Sequence, residues 1–152
     1  MSQQLEQWYQ ANAWTSVTDE MLGDLPGVVC VLGESTSVAS KERKRQQGKL
    51  HSGRMDSRTD MILRKTGNGI VLEYGAEEDA ANYDGNLGKK RMDEAELKLP
   101  KTLKDMMTML CNDCNWDATI MRKIEAIGYC HSGIVAEFMV MDSPSGYICR
   151  LL

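Results

Sequence analysis

The run Asp60-Met61-Ile62-Leu63-Arg64, the connector Lys65-Thr66-Gly67-Asn68-Gly69 and the run Ile70-Val71-Leu72-Glu73-Tyr74 constrain this chain more than any other segment. β-Forming residues flank Gly and Asn, which tolerate positive φ, so the pattern predicts a β-hairpin. A second strong signal follows at 99–111. Pro100 suits a first helical turn, and Leu99, Leu103, Met106, Met107 and Leu110 make one apolar stripe at helical spacing, with Lys101, Lys104, Asp105 and Thr108 largely opposite. Such a helix should pack on a sheet.

The rest of the chain fits around these two elements. Leu5, Trp8 and Tyr9 at helical spacing, with Trp14 beyond, predict one or two short helices in a segment 1–27 closed by Leu25-Pro26-Gly27. Val28 to Leu32 reads as a buried strand or one helical turn. Ser35, Thr36 and Ser37 are competent N-caps for a polar helix through Gln47, ended by Gly48. Residues 75–90 read as an exposed loop. The β-rich runs 124–129, 134–141 and 146–151, punctuated by His131-Ser132-Gly133 and Asp142-Ser143-Pro144-Ser145, predict an antiparallel meander. The expectation is one α+β domain over 1–152: helix, β-hairpin, helix, then a meander packed on the helices. Because the chain ends on the β-rich run 146–152, the last strand is expected to continue into further sheet in a longer relative.

Composition narrows the function classes. The chain has 152 residues with 42% apolar and 26% charged, enough for a real core. No apolar run reaches the ~20 residues of a membrane span. The first 25 residues hold Glu6, Asp19, Glu20 and Asp24 and no basic residue, unlike a signal peptide. Five cysteines without an export signal point to a reduced cytoplasmic or nuclear setting. Eleven Met against one Phe predict a core filled by adaptable thioethers.

The net charge of -4 is segregated: residues 1–40 hold five acidic and no basic residues, whereas 41–58 hold seven basic and two acidic ones. Lys41, Arg43, Lys44 and Arg45 on the polar helix are either a solvated face, a nuclear-targeting run or a phosphate-contacting surface.

Candidate chemistry sits on the hairpin. Asp60 opens its first strand and Glu73 lies on its second, so the fold-back is expected to bring the two carboxylates together. Hard oxygen ligands suit Mg²⁺ and through it the activation of water for phosphodiester hydrolysis. Glu34 and Glu77 are the next carboxylates in reach, Glu77 as a third metal ligand. Cys111, Cys114, Cys130 and His131 have the atom types of a zinc site, but adjacent residues on a strand point to opposite faces, so buried thiols are expected instead. Two His residues, no P-loop and no dinucleotide fingerprint leave little room for other chemistries.

These residues resemble the PD-(D/E)XK nuclease superfamily, whose core is αβββαβ: Glu34 near a helix, Asp60 at a strand start, a hairpin, Glu73 on the next strand, then a helix. The strings Gly33-Glu34-Ser35-Thr36-Ser37, Arg43-Lys44-Arg45, Gly53-Arg54, Glu73-Tyr74-Gly75-Ala76-Glu77 and Lys98-Leu99-Pro100-Lys101 also look like an expanded set of fungal proteins without an assigned activity. The resemblance implies a restriction-endonuclease-like core, active on nucleic acid or degenerate and only binding it, with a Mg²⁺ cofactor and, in the active form, catalytic roles for Asp60, Glu73 and Glu34. In that family a lysine follows the second carboxylate by two positions. Gly75 stands there, so Lys89 or Lys98, with Lys101 and Lys104 behind them, is expected to supply the ammonium. The alternative is a non-catalytic module that binds a protein partner or a second copy through an open sheet edge.

Overall fold

A computed structural model describes residues 6–48, 58–67, 69–80 and 92–152. The predicted loop tip 81–90 with Lys89, and the side chain of Glu34, lie outside what is described.

Helices α1 (Glu6–Tyr9) and α2 (Thr15–Leu22) are joined by a π-helical stretch, Gln10–Trp14, into an N-terminal arm. Strand β1 (Val28–Thr36) leads to α3 (Val38–Gln46), and the hairpin follows as β2 (Arg58–Gly67) and β3 (Ile70–Ala80). A π-helical stretch, Met92–Lys98, runs into α4 (Leu99–Asp113), then come α5 (Ala118–Met121), β4 (Glu125–Ser132), β5 (Val135–Ser145) and β6 (Ile148–Leu151). The six strands form one sheet in chain order. All neighbours are antiparallel except β3 and β4, which are parallel. A parallel step needs a crossover, and α4 is that crossover. The fold is α+β, and no described helix is long and apolar enough to cross a membrane.

The two sheet faces carry different cores. The predicted stripe of α4 is buried against Ile62, Ala76, Ala126, Cys130 and Met141. Burial of each large stripe residue contributes about 2 kcal/mol before the entropy of ordering. Gly128 lets the helix approach: a Cβ there would lie 2.9 Å from Leu103 and 3.1 Å from Leu99. On the opposite face Leu22 of the arm covers Met61 and Leu63, with Cys30, Ile127 and Tyr129 around them.

The hairpin, the stripe helix and the meander match the sequence pattern. Elsewhere the structure departs from it: the run Val28 to Leu32 forms a strand that is not buried, with Val29 and Leu32 exposed, β4 runs on through His131 and Ser132, and β3 does not end near Tyr74 but continues to Ala80, with residues 75–80 all buried. A run of Glu77-Glu78-Asp79 has the composition of a solvated loop, and only its pairing with β2 and β4 holds it inside.

Candidate functional site: buried carboxylates on two faces of one strand

Glu77, Glu78 and Asp79 are 2%, 0% and 3% exposed. Removing an uncompensated carboxylate from water costs several kcal/mol, so each needs a cation or donors. Successive strand residues face opposite sides, so the run splits.

Glu78 faces α4. Its Oε2 lies 2.5 Å from Nζ of Lys98, the residue just before that helix. Asp60 shares this face, because it precedes Met61, which pairs with Glu77, and so falls beside Glu78 on the neighbouring strand. Directly opposed side chains have Cβ atoms ~5 Å apart. Asp60 Oδ2 also accepts the Asp79 backbone N–H at 2.8 Å, which fixes the two strand ends together.

Glu77 and Asp79 face the arm. His131, which pairs with Asp79 across the parallel ladder, places Nδ1 3.1 Å from Asp79 Oδ1 and 3.3 Å from Glu77 Oε1. The ligand atoms of these three buried residues lie within 4.8 Å of one another, a group that could hold a metal ion. The Trp14 ring stacks on the imidazole at 4.0 Å and 4°, and Trp14 Nε1 donates to the Gly133 carbonyl at 2.9 Å. Burial works to lower the His131 pKa, but hydrogen bonds and charge from Asp79 and Glu77 win and raise it to about 9. Burial raises the Asp79 carboxyl, with the Glu77 charge adding and His131 opposing.

Of the residues singled out in the sequence, Asp60 and Glu73 are not brought together. Gly67 pairs with Ile70, and the same register puts Glu73 opposite Arg64, on the connector side of the bulge that shifts the pairing from Leu63 onward. That is four positions along β2 from Asp60, roughly 13 Å at strand rise. The Glu73 carboxylate accepts from Ser37 Oγ at 2.6 Å, Val38 N at 2.9 Å, Ala39 N at 3.0 Å and Arg64 Nε at 2.9 Å. It anchors the positive N-terminus of α3 and is not a metal ligand beside Asp60. Glu77 is turned to the arm face, away from Asp60. Lys98 contacts Glu78, a carboxylate that was not among those singled out, whereas Lys101 and Lys104 are exposed on α4.

The basic helix is divided. Arg43 Nε is 2.7 Å from Asp105, which also accepts from Ser40 Oγ at 2.7 Å, so Arg43 holds α3 to α4. Arg45 pairs with Glu42 at 2.8 Å on the surface, Lys44 is half-buried and Lys41 is exposed. None of the five cysteines forms a disulfide. Cys130 lies in the α4 core while His131 faces the arm, so strand alternation separates the Cys/His set as expected. Burial, then Cys114 and Cys149, pushes the Cys111 thiol up to about 11.

Sequence reasoning missed Glu78, Asp79 and the partners of His131. Register counted back from the connector puts Glu77 opposite Asp60, and only the bulge after Leu63 moves that place to Glu78, so the sequence carried no signal for it. Comparison with protein-family models, curated proteins and solved structures finds no match to this chain.

Proposed function

We propose that this domain hydrolyses phosphodiester bonds in nucleic acid with a divalent cation held by Asp60 and Glu78, and that Lys98 is its catalytic ammonium. The observation that carries the reading is the contact of Lys98 with Glu78 beside Asp60. Two hard carboxylates on adjacent strands have the donor chemistry Mg²⁺ takes, leaving positions for water. When bound, the ion supplies a more acidic water and positive charge at the scissile phosphate. Lys98 stands where an ammonium can orient the attacking water or a phosphate oxygen. Glu78 replaces Glu73 in the role the family resemblance implies, the lysine position two residues on becomes the buried Ala80, and Lys98, which reaches Glu78 from the neighbouring helical stretch, takes the role of that lysine. The order α2, β1, β2, β3, α4, β4, with α3 inserted, agrees with an αβββαβ core.

The test is nicking of supercoiled plasmid with Mg²⁺. Asp60→Asn, Glu78→Gln and Lys98→Met are each expected to lose roughly 100-fold or more, while Lys101→Met retains activity. Absence of nicking by the wild-type chain, or nicking that persists in Asp60→Asn and Glu78→Gln, removes the hydrolytic reading.

A further inference from the structure

Glu77, Asp79 and His131 take no part in the chemistry proposed above, being on the other face of the sheet, yet they are among the most buried polar groups in the fold. A protonated imidazole offers one Nδ1 hydrogen to two carboxylates at 3.1 and 3.3 Å and cannot point it well at both. Glu77 Oε2, on a side chain 3% exposed, has no hydrogen-bond partner among the described residues. A buried carboxylate oxygen left without a donor is costly, and a coordinated cation is the group that relieves it.

The spacing of the imidazole from each carboxylate fits coordination. Two donors each about 2.1 Å from one ion stand ~3.0 Å apart at a right angle and ~3.4 Å apart at the tetrahedral angle. The Nδ1 to oxygen distances of 3.1 and 3.3 Å fall inside that interval. The donor atoms select the ion: an imidazole nitrogen with two carboxylate oxygens suits Zn²⁺ and its neighbours Co²⁺, Ni²⁺ and Fe²⁺, whereas Mg²⁺ prefers oxygen and keeps several waters. Neutral His131 with two carboxylates gives a formal charge that a divalent ion cancels. The ligands are also preorganised, two by alternation on β3 and one by the parallel ladder to β4, with the Trp14 stack fixing the imidazole plane.

We propose that Glu77, Asp79 and His131 form a binding site for a borderline divalent transition ion, separate from the Asp60 and Glu78 pair, which fastens the N-terminal arm to the sheet beneath Trp14. This site does not depend on the hydrolytic reading, and the two fail independently.

The experiment strips the full chain with a chelator and dialyses it against Co²⁺ in excess Mg²⁺. One Co²⁺ per chain is expected, with ligand-field absorption, no thiolate-to-cobalt charge-transfer band, and quenching of the Trp14 share of the fluorescence. His131→Gln and Glu77→Gln should each weaken retention by more than about 10-fold, whereas Asp60→Asn, whose amide oxygen still accepts the Asp79 N–H, leaves it unchanged. Trp14→Phe keeps a ring over His131 and separates ligand loss from misfolding: it should retain one Co²⁺ and lose the quenching. The proposal is overturned if no Co²⁺ is retained, if a thiolate band appears, if His131→Gln binds as the wild type does, or if Asp60→Asn abolishes binding.

Discussion

His131 carries a proton that two carboxylates compete for and that a metal would displace. In the metal-free chain its folded pKa of about 9 stands above the ordinary 6.5. The stabilisation it contributes is therefore fully present below about pH 6.5 and is lost as pH rises through 9. Asp79, also raised, has its own loss beginning on the acid side, from the ordinary carboxylate value of 3.8 upward. Above 9 the raised thiols of Cys30, Cys111 and Cys149 titrate and add to the decline. The urea midpoint of chelator-treated protein should consequently fall between pH 6.5 and 9, together with the Trp14 fluorescence signature of the stacked imidazole. His131→Gln should flatten that interval, and an equally steep fall in the variant would mean that some other group governs it.

At the scale of elements, β3 is where sequence and structure part. A Cβ on Gly75 would stand 2.7 Å from the Ile127 carbonyl oxygen, a backbone atom that cannot step aside without disturbing the β3 and β4 ladder. At Gly128 the obstacles are the ends of Leu103 and Leu99, which can rotate. Gly75→Ala is therefore expected to cost about 2–3 kcal/mol and Gly128→Ala about 1 kcal/mol in urea unfolding; equal costs would contradict the close parallel approach. What was legible in the sequence was periodic: the alternating hairpin, the 3.6-residue stripe of α4, the Ser37 cap of α3 and the final meander. Pairing was not. Propensity places Asp60 and Glu73 on adjacent strands, but the connector register already sets Glu73 against Arg64, and which residue stands beside Asp60 depends on a bulge after Leu63 and on where β3 ends, neither of which leaves a compositional mark. The buried run at 77–79 was hidden by its own polarity, because burial of charge is decided by partners distant in the chain.

Across the whole molecule, the segregation of charge acquires an address. Helix α3 is anchored by Glu73 at its start and by Arg43 to Asp105 of α4, so it lies on the α4 side of the sheet, the side that carries Asp60, Glu78 and Lys98. A phosphate backbone reaching those carboxylates has Lys41 and Arg45 as exposed cations on the adjoining helix, against an overall charge of -4. Arg43 is different, because its guanidinium neutralises a carboxylate only 6% exposed. Two outcomes follow from that division if the domain binds nucleic acid. Lys41→Gln combined with Arg45→Gln should weaken binding of a labelled duplex and lower the slope of log K against log salt by about 2, one unit for each phosphate contact removed, while leaving the urea midpoint unchanged. Arg43→Gln should instead destabilise the fold by about 2 kcal/mol, less than a fully buried pair because Arg43 is part-exposed and Ser40 still bonds Asp105. Anisotropy titrations between 50 and 200 mM salt, paired with urea unfolding, read both effects. An unchanged slope in the double variant would remove α3 as the phosphate-contacting surface, and a changed slope in Arg43→Gln at unaltered stability would show that the buried pair opens to the ligand.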